Sequence, residues 1–147
     1  MRLVGILCVS LLVLGGCTRP GADDHALNDQ IAVDGVRELL ANSVPSGYAL
    51  TNISLQSDRE QVETVVAFYR SVDAVVAICA TTASALPGAE CIDPETGTVD
   101  RGGRPVLVGV ECVSDECPEF SGRDWLARFT SVVPDETSVR AMIDHAG

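Results

Sequence analysis

Lysine is absent. All ten basic residues are arginine, set against 21 acidic ones, for a formal net charge of −11. A chain this acidic repels phosphate backbones, which sets nucleic-acid binding aside. The one arginine–glycine run, Arg101-Gly102-Gly103-Arg104, occurs once and in acidic surroundings. It reads as a β-turn, not as an RNA-binding segment. Histidine is scarce as well: His25 and His145 stand at opposite ends of the chain. That argues against a histidine-bearing zinc site and leaves the serines without a neighbouring base. No Gly-x-Ser-x-Gly elbow is present either. His25 reads as solvated, and His145 as facing solvent or a helix end. There are only six aromatic residues (Trp125, Tyr48, Tyr69, Phe68, Phe120 and Phe129), so the core needs them more than a binding patch does. Finally, no apolar run approaches the ~20 residues of a membrane-spanning helix.

What the chain does have is a short apolar N-terminus. Met1 and Arg2 precede the run Leu3 to Leu14, which closes in Leu14-Gly15-Gly16-Cys17 and gives way to the polar stretch TRPGADDHALN. A positive tip, an apolar centre and small residues before a cleavage point make a secretory signal. With Leu14 and Gly16 at the third and first positions before Cys17, the stretch resembles the lipobox of bacterial lipoproteins. The resemblance covers residues 1–17 only. It implies cleavage before Cys17 and a diacylglyceryl thioether on that thiol. Two or three acyl chains, palmitate among them, would then hold the protein on the extracytoplasmic face of the cell membrane or envelope, since one chain anchors only marginally. The expected organisation is a signal over 1–16, a lipidated Cys17 with a flexible tether over 17–28, and a single globular domain over 29–147. Loss of the signal removes Arg2 and makes the mature chain one unit more negative.

Six cysteines divide accordingly. Cys8 leaves with the signal and Cys17 takes the lipid, so Cys79, Cys91, Cys112 and Cys117 remain. An even number in an exported chain reads as two disulfides. Their spacing is too wide for a zinc site. Three pairings are possible. Cys79–Cys91 with Cys112–Cys117 is favoured because each bridge joins a strand to the loop after it, with Cys79–Cys112 and Cys91–Cys117 as the alternative.

Along the domain, Leu27, Ile31, Val36, Leu39 and Leu40 approximate one apolar face and predict a helix over Asp29–Asn42, stopped by Pro45 and Gly47. YALTNISL, over Tyr48–Leu55, predicts a strand. Val62 to Ala83 fits either a helical stripe or a hairpin of Glu63–Arg70 and Ala74–Thr82. Ten of the residues from Val62 to Thr82 are β-branched, which favours the hairpin. Leu86–Pro105 reads as a long loop, Val106–Val113 as a strand with Gly109 marking a bulge, and Gly122–Val132 as a helix burying Trp125, Leu126 and Phe129. After Pro134, Asp135 is a good N-cap for a last helix. The fold class is therefore α+β: a small antiparallel sheet of about four strands, covered by N- and C-terminal helices and held by disulfides.

No assembled catalytic group emerges, and no cofactor is expected. Surface acids cluster at Asp115, Glu116 and Glu119, and again around the long loop. In that loop Asp93, Glu95 and Asp100 offer hard oxygens and are the weak calcium candidates, although the EF-hand spacing is not met. The expectation is a non-enzymatic, membrane-anchored domain that binds an envelope protein or ligand. The alternatives are a small envelope hydrolase using carboxylates or a metal, and a carrier of apolar ligands or lipid.

Overall fold

The β-branched stretch forms two strands, β2 (Gln61–Arg70) and β3 (Val75–Thr82), in the computed structural model, which describes residues 21–58, 61–82 and 97–144. The two strands pair antiparallel, from Thr64 opposite Thr81 to Arg70 opposite Val75. Their turn is closed by Ser71, whose backbone N–H donates to Ala74 O at 2.8 Å and whose Oγ accepts from Ala74 N at 3.1 Å. Strand β1 (Ala49–Asp58) pairs with β2 on its outer side. A fourth strand, β4 (Gly97–Asp100), and β5 (Pro105–Cys112) complete one sheet in the order β1-β2-β3-β5-β4, antiparallel throughout.

One face of this sheet carries the core. Val65, Ala67 and Tyr69 lie beside Val76, Ile78 and Ala80, which lie beside Val106, Val108 and Val110, and all nine are buried. Leu50 and Ile53 of β1 join the same face because the register slips between Leu50 and Asn52. Without that bulge, residues three apart would point to opposite faces.

Helices cover this face. α1 (Gly21–Ile31) and α3 (Glu136–Asp144) pack against β1, and α2 (Gly122–Leu126) packs against β5. Trp125 is buried between Tyr48, edge-on at 5.1 Å between centroids, and Tyr69 at 5.5 Å. As expected from the sequence, Asp135 caps α3: its Oδ1 accepts from Ser138 N at 2.7 Å. The same bonds, from the backbone and side chain of Ser138, lower the Asp135 pKa. Among the described residues no helix is long and apolar enough to cross a membrane.

The α+β class therefore holds, with corrections. The sheet has five strands, not four. The extra one, β4, lies in the stretch read as a loop, where Gly102 and Gly103 sit at φ +65° and +84° and close a two-residue hairpin between Arg101 and Arg104. Two successive positive φ values are the requirement of a type I′ turn, which glycine meets at no steric cost.

The helix expected over Asp29–Asn42 is broken. α1 ends at Ile31, Gly35 follows at φ +87°, and only a 3₁₀ turn forms over Arg37–Leu39. Every apolar position of the predicted face is nevertheless buried. α1 runs from Gly21 to Ile31 and buries Leu27 and Ile31.

The helix expected over Gly122–Val132 stops at Leu126, because Asn42 captures the following chain. Its Oδ1 accepts from Thr130 N at 2.9 Å and its Nδ2 donates to Val132 O.

Candidate functional site

Beyond its central strands, the core layer opens into a cleft of about 700 Å³. Its floor is a row of residues on neighbouring strands. Glu63 of β2 stands next to Thr82 of β3, one step beyond the Thr64–Thr81 pair, and Thr82 is paired with Val106 of β5. The segment carrying Asp34, Glu38 and Leu39 forms the opposite wall, and the β4–β5 turn supplies Arg101 and Arg104 at one side.

The two arginines differ sharply. Arg104 is exposed and reaches Glu38 at 3.8 Å, a long ion pair whose side chains keep 75% and 47% of their accessibility. Such solvated pairs contribute at most about 1 kcal/mol. Arg101 is only 3% exposed. Its Nη2 donates to Leu40 O at 2.7 Å and to Asn42 Oδ1 at 3.1 Å, and its guanidinium lies 4.9 Å from the centre of the Phe129 ring. Both acceptors are neutral. Its Nε and Nη1 are buried and find no partner.

Burial pushes the Arg101 guanidinium down from its ordinary pKa, while Tyr69 and Glu38 act against that push. Tyr69 is the mirror case. Burial raises its phenol, the nearby Ala41 backbone and Arg101 offset part of the rise, and the hydroxyl meets no partner with hydrogen-bond geometry. A buried cation held by dipoles and an aromatic face leaves positive potential beneath the cleft.

The network around Arg101 is also structural. Asn42 ties Arg101 to the chain at Thr130 and Val132, and its own N–H donates to Arg128 O at 2.9 Å. Nothing in the sequence reading marked Arg101 beyond its place in a turn. The signal that would have found it is the Gly-Gly pair between two β-rich stretches, which specifies a hairpin and places Arg101 at its end.

The other face of the sheet carries a smaller depression of about 310 Å³, lined by Val66, Phe68, Ala77, Cys79 and Gly109 among others. Cys79 on this face is disulfide-bonded. Its favoured partner, Cys91, lies outside the described residues. The Cys112–Cys117 bridge is present, with its Cα atoms 6.1 Å apart. Ser114 ties that loop to β3, accepting from Val75 N at 3.0 Å and donating to Glu116 O at 3.1 Å.

The remaining sequence candidates are dispersed. Asp100 turns its Oδ1 to Gly103 N at 2.9 Å, inside the hairpin. Asp93 and Glu95, the other calcium candidates, lie outside the described residues, as do His145 and the lipid-acceptor Cys17. Asp115, Glu116 and Glu119 are exposed, and so is His25 on α1. Among the described residues no cluster of three potential ligands is placed to hold a metal ion. The cleft is lined by a different set of acids: Asp34 and Glu38, four residues apart, and Glu63 from β2. No family model, no curated protein and no solved structure matches this chain.

Proposed function

We propose that this is a lipid-anchored protein of the cell envelope, held on the extracytoplasmic face through Cys17, whose folded domain binds a partner protein or small ligand without transforming it. The anchoring half of the reading is supported by Leu14-Gly15-Gly16-Cys17 and the apolar run before it. The disulfide Cys112–Cys117 and the bonded Cys79 fit an oxidising, exported setting. The observation that carries the binding half is the cleft, where solvated carboxylates face a buried, incompletely partnered guanidinium around an open volume. Fixed charges of both signs in a concave site suit recognition.

The test is Cys17→Ser expressed in the native host. Labelling with palmitate should disappear, and the protein should leave the membrane fraction or accumulate as precursor. Labelling that survives the substitution would overturn the reading. A second reading, carriage of an apolar ligand, rests on the depression around Val66, Phe68 and Ala77. Saturable binding of a fluorescent fatty acid, abolished by Phe68→Glu, would favour it.

A further inference from the structure

We infer that the second face of the sheet, around Val66 and Phe68, is the docking surface for this chain's own residues 83–96, which cross it pinned by a Cys79–Cys91 disulfide. The inference goes beyond the binding reading and decides against its apolar-ligand alternative. Topology requires a crossing. β3 and β4 both run antiparallel to β5, which lies between them, so they run parallel to each other. Parallel strands cannot be joined by a hairpin, and their link must return over one face of the sheet. β3 ends at Thr82, opposite Val106, and β4 begins at Gly97, opposite Val108. The link therefore moves back two residues and across two strand spacings, roughly 12 Å in all. Residues 83–96 are long enough to bow well over the face on the way.

The hand of the crossover selects the face. Val113 N donates to Val75 O at 2.9 Å, so by alternation Val75, Ala77, Cys79 and Thr81 turn their peptide groups toward β5. With L-residues, β5 and β4 then lie to the right of β3 when the Cys79 side chain points at the viewer and β3 runs upward. A right-handed crossover, the hand such links nearly always take, passes in front of the sheet in that view. The front is the face of Val66, Phe68, Ala77 and Cys79, while the described helices bury their side chains in the core on the opposite face.

Two further observations put chain there. Thr64 and Thr81, bonded Oγ1 to Oγ1 at 2.8 Å on this same face, are only 3% and 5% exposed, so residues outside those described cover them. Cys79 is disulfide-bonded, and Cys112 and Cys117 hold each other, which leaves Cys8, Cys17 and Cys91 as its possible partners. On the anchoring reading Cys8 leaves with the signal and Cys17 takes the lipid. Cys91, inside the link, is the partner that remains. Leu86 and Ile92 are the large apolar residues of the link, and they suit the depression beside Val66 and Phe68.

The experiment uses the full-length protein purified from membranes without reductant. Peptide mapping should recover Cys79 joined to Cys91. Phe68→p-benzoylphenylalanine, on illumination, should crosslink within its own chain to a peptide from residues 83–96. The same probe at Val72, which is 99% exposed at the tip of the β2–β3 hairpin, should give no such adduct. A probe at Val66 repeats the test if circular dichroism shows that the change at Phe68 unfolds the domain. Cys79 recovered as a free thiol, or adducts from Phe68 and Val66 that map elsewhere or to a second molecule, would overturn the inference. Saturable fatty-acid binding abolished by Phe68→Glu would overturn it too, because the face would then be open to ligand. These failures leave palmitate labelling of Cys17 untouched and so spare the anchoring reading, whereas a Cys79–Cys17 bridge would remove both.

Discussion

Replacing Asn42 with alanine should unfasten the C-terminal part of the domain at one point. The side chain makes three hydrogen bonds: Nδ2 to Val132 O, and Oδ1 accepting from Thr130 N at 2.9 Å and from Arg101 Nη2 at 3.1 Å. The two neutral bonds contribute about 1 kcal/mol each, and the one from a charged donor ~1.5–3 kcal/mol. Asn42 is half-buried, so water replaces part of this, and the expected loss is roughly 3 kcal/mol. Much of that comes from Arg101, which would keep Leu40 O as its one hydrogen-bond acceptor while remaining buried. For a domain of this size the loss should lower Tm by about 10 °C. It should also reduce the urea midpoint at an unchanged slope, since the surface exposed on unfolding stays the same. Asn42→Asp separates the contributions. It keeps the acceptor and sets a carboxylate beside Arg101, but turns its second oxygen toward Val132 O, so it should restore the Arg101 contribution while still losing the tie to Val132. If Asn42→Ala costs less than about 1 kcal/mol, near the level of a surface substitution, the network does not hold the fold as argued.

Other substitutions probe separate features. Asp135→Ala should destabilise at neutral pH and converge with the parent in acid. The folded pKa of Asp135 is lowered by its bonds to Ser138, so its contribution is full above the ordinary carboxylate value near 4 and is lost as pH falls through the lowered one. Thermal melts of both proteins between neutral and strongly acidic pH check this, and a pH-independent deficit would refute it. Glu119 sits at φ +58° in the turn closed by Phe120 N to Cys117 O. Glu119→Gly should therefore raise stability by up to ~1 kcal/mol, and a loss in urea titration would refute the strain argument. Replacing both Cys112 and Cys117 with serine opens a short loop and should cost about 2 kcal/mol by chain entropy. A melt unchanged by that double substitution would mean the bridge constrains nothing.

The strands were legible where period and residue type agreed. Val62 to Thr82 was resolved as a hairpin by its β-branched residues, and Tyr48–Leu55 and Val106–Val113 emerged as β1 and β5 with shifted ends. Helix continuity was not legible. Leu27, Ile31, Val36, Leu39 and Leu40 are all buried as a single face would require, yet Gly35 at φ +87° interrupts the helix that the spacing suggested. Apolar period reports which residues go inside more faithfully than it reports the backbone between them. The short edge strand β4 escaped because four residues give almost no alternation to read. Its hairpin glycines specify a turn but not the strand before it. The cleft escaped for a different reason. Asp34, Glu63 and Arg101 line one cleft only because β2, β5 and the 34–39 segment come together at one end of the sheet, and no local pattern encodes that. Arg101 in particular looked like a turn residue, since neither its burial nor its bond to Leu40 follows from its neighbours in sequence.

The central claim, an anchored binding domain, is tested most directly by intact-mass analysis of the protein purified from membranes of its native host. The account predicts a chain that begins at Cys17, carries a diacylglyceryl group there with or without a further acyl chain, and loses that mass in Cys17→Ser. A chain beginning elsewhere, or one beginning at Cys17 with an unmodified thiol, would contradict it.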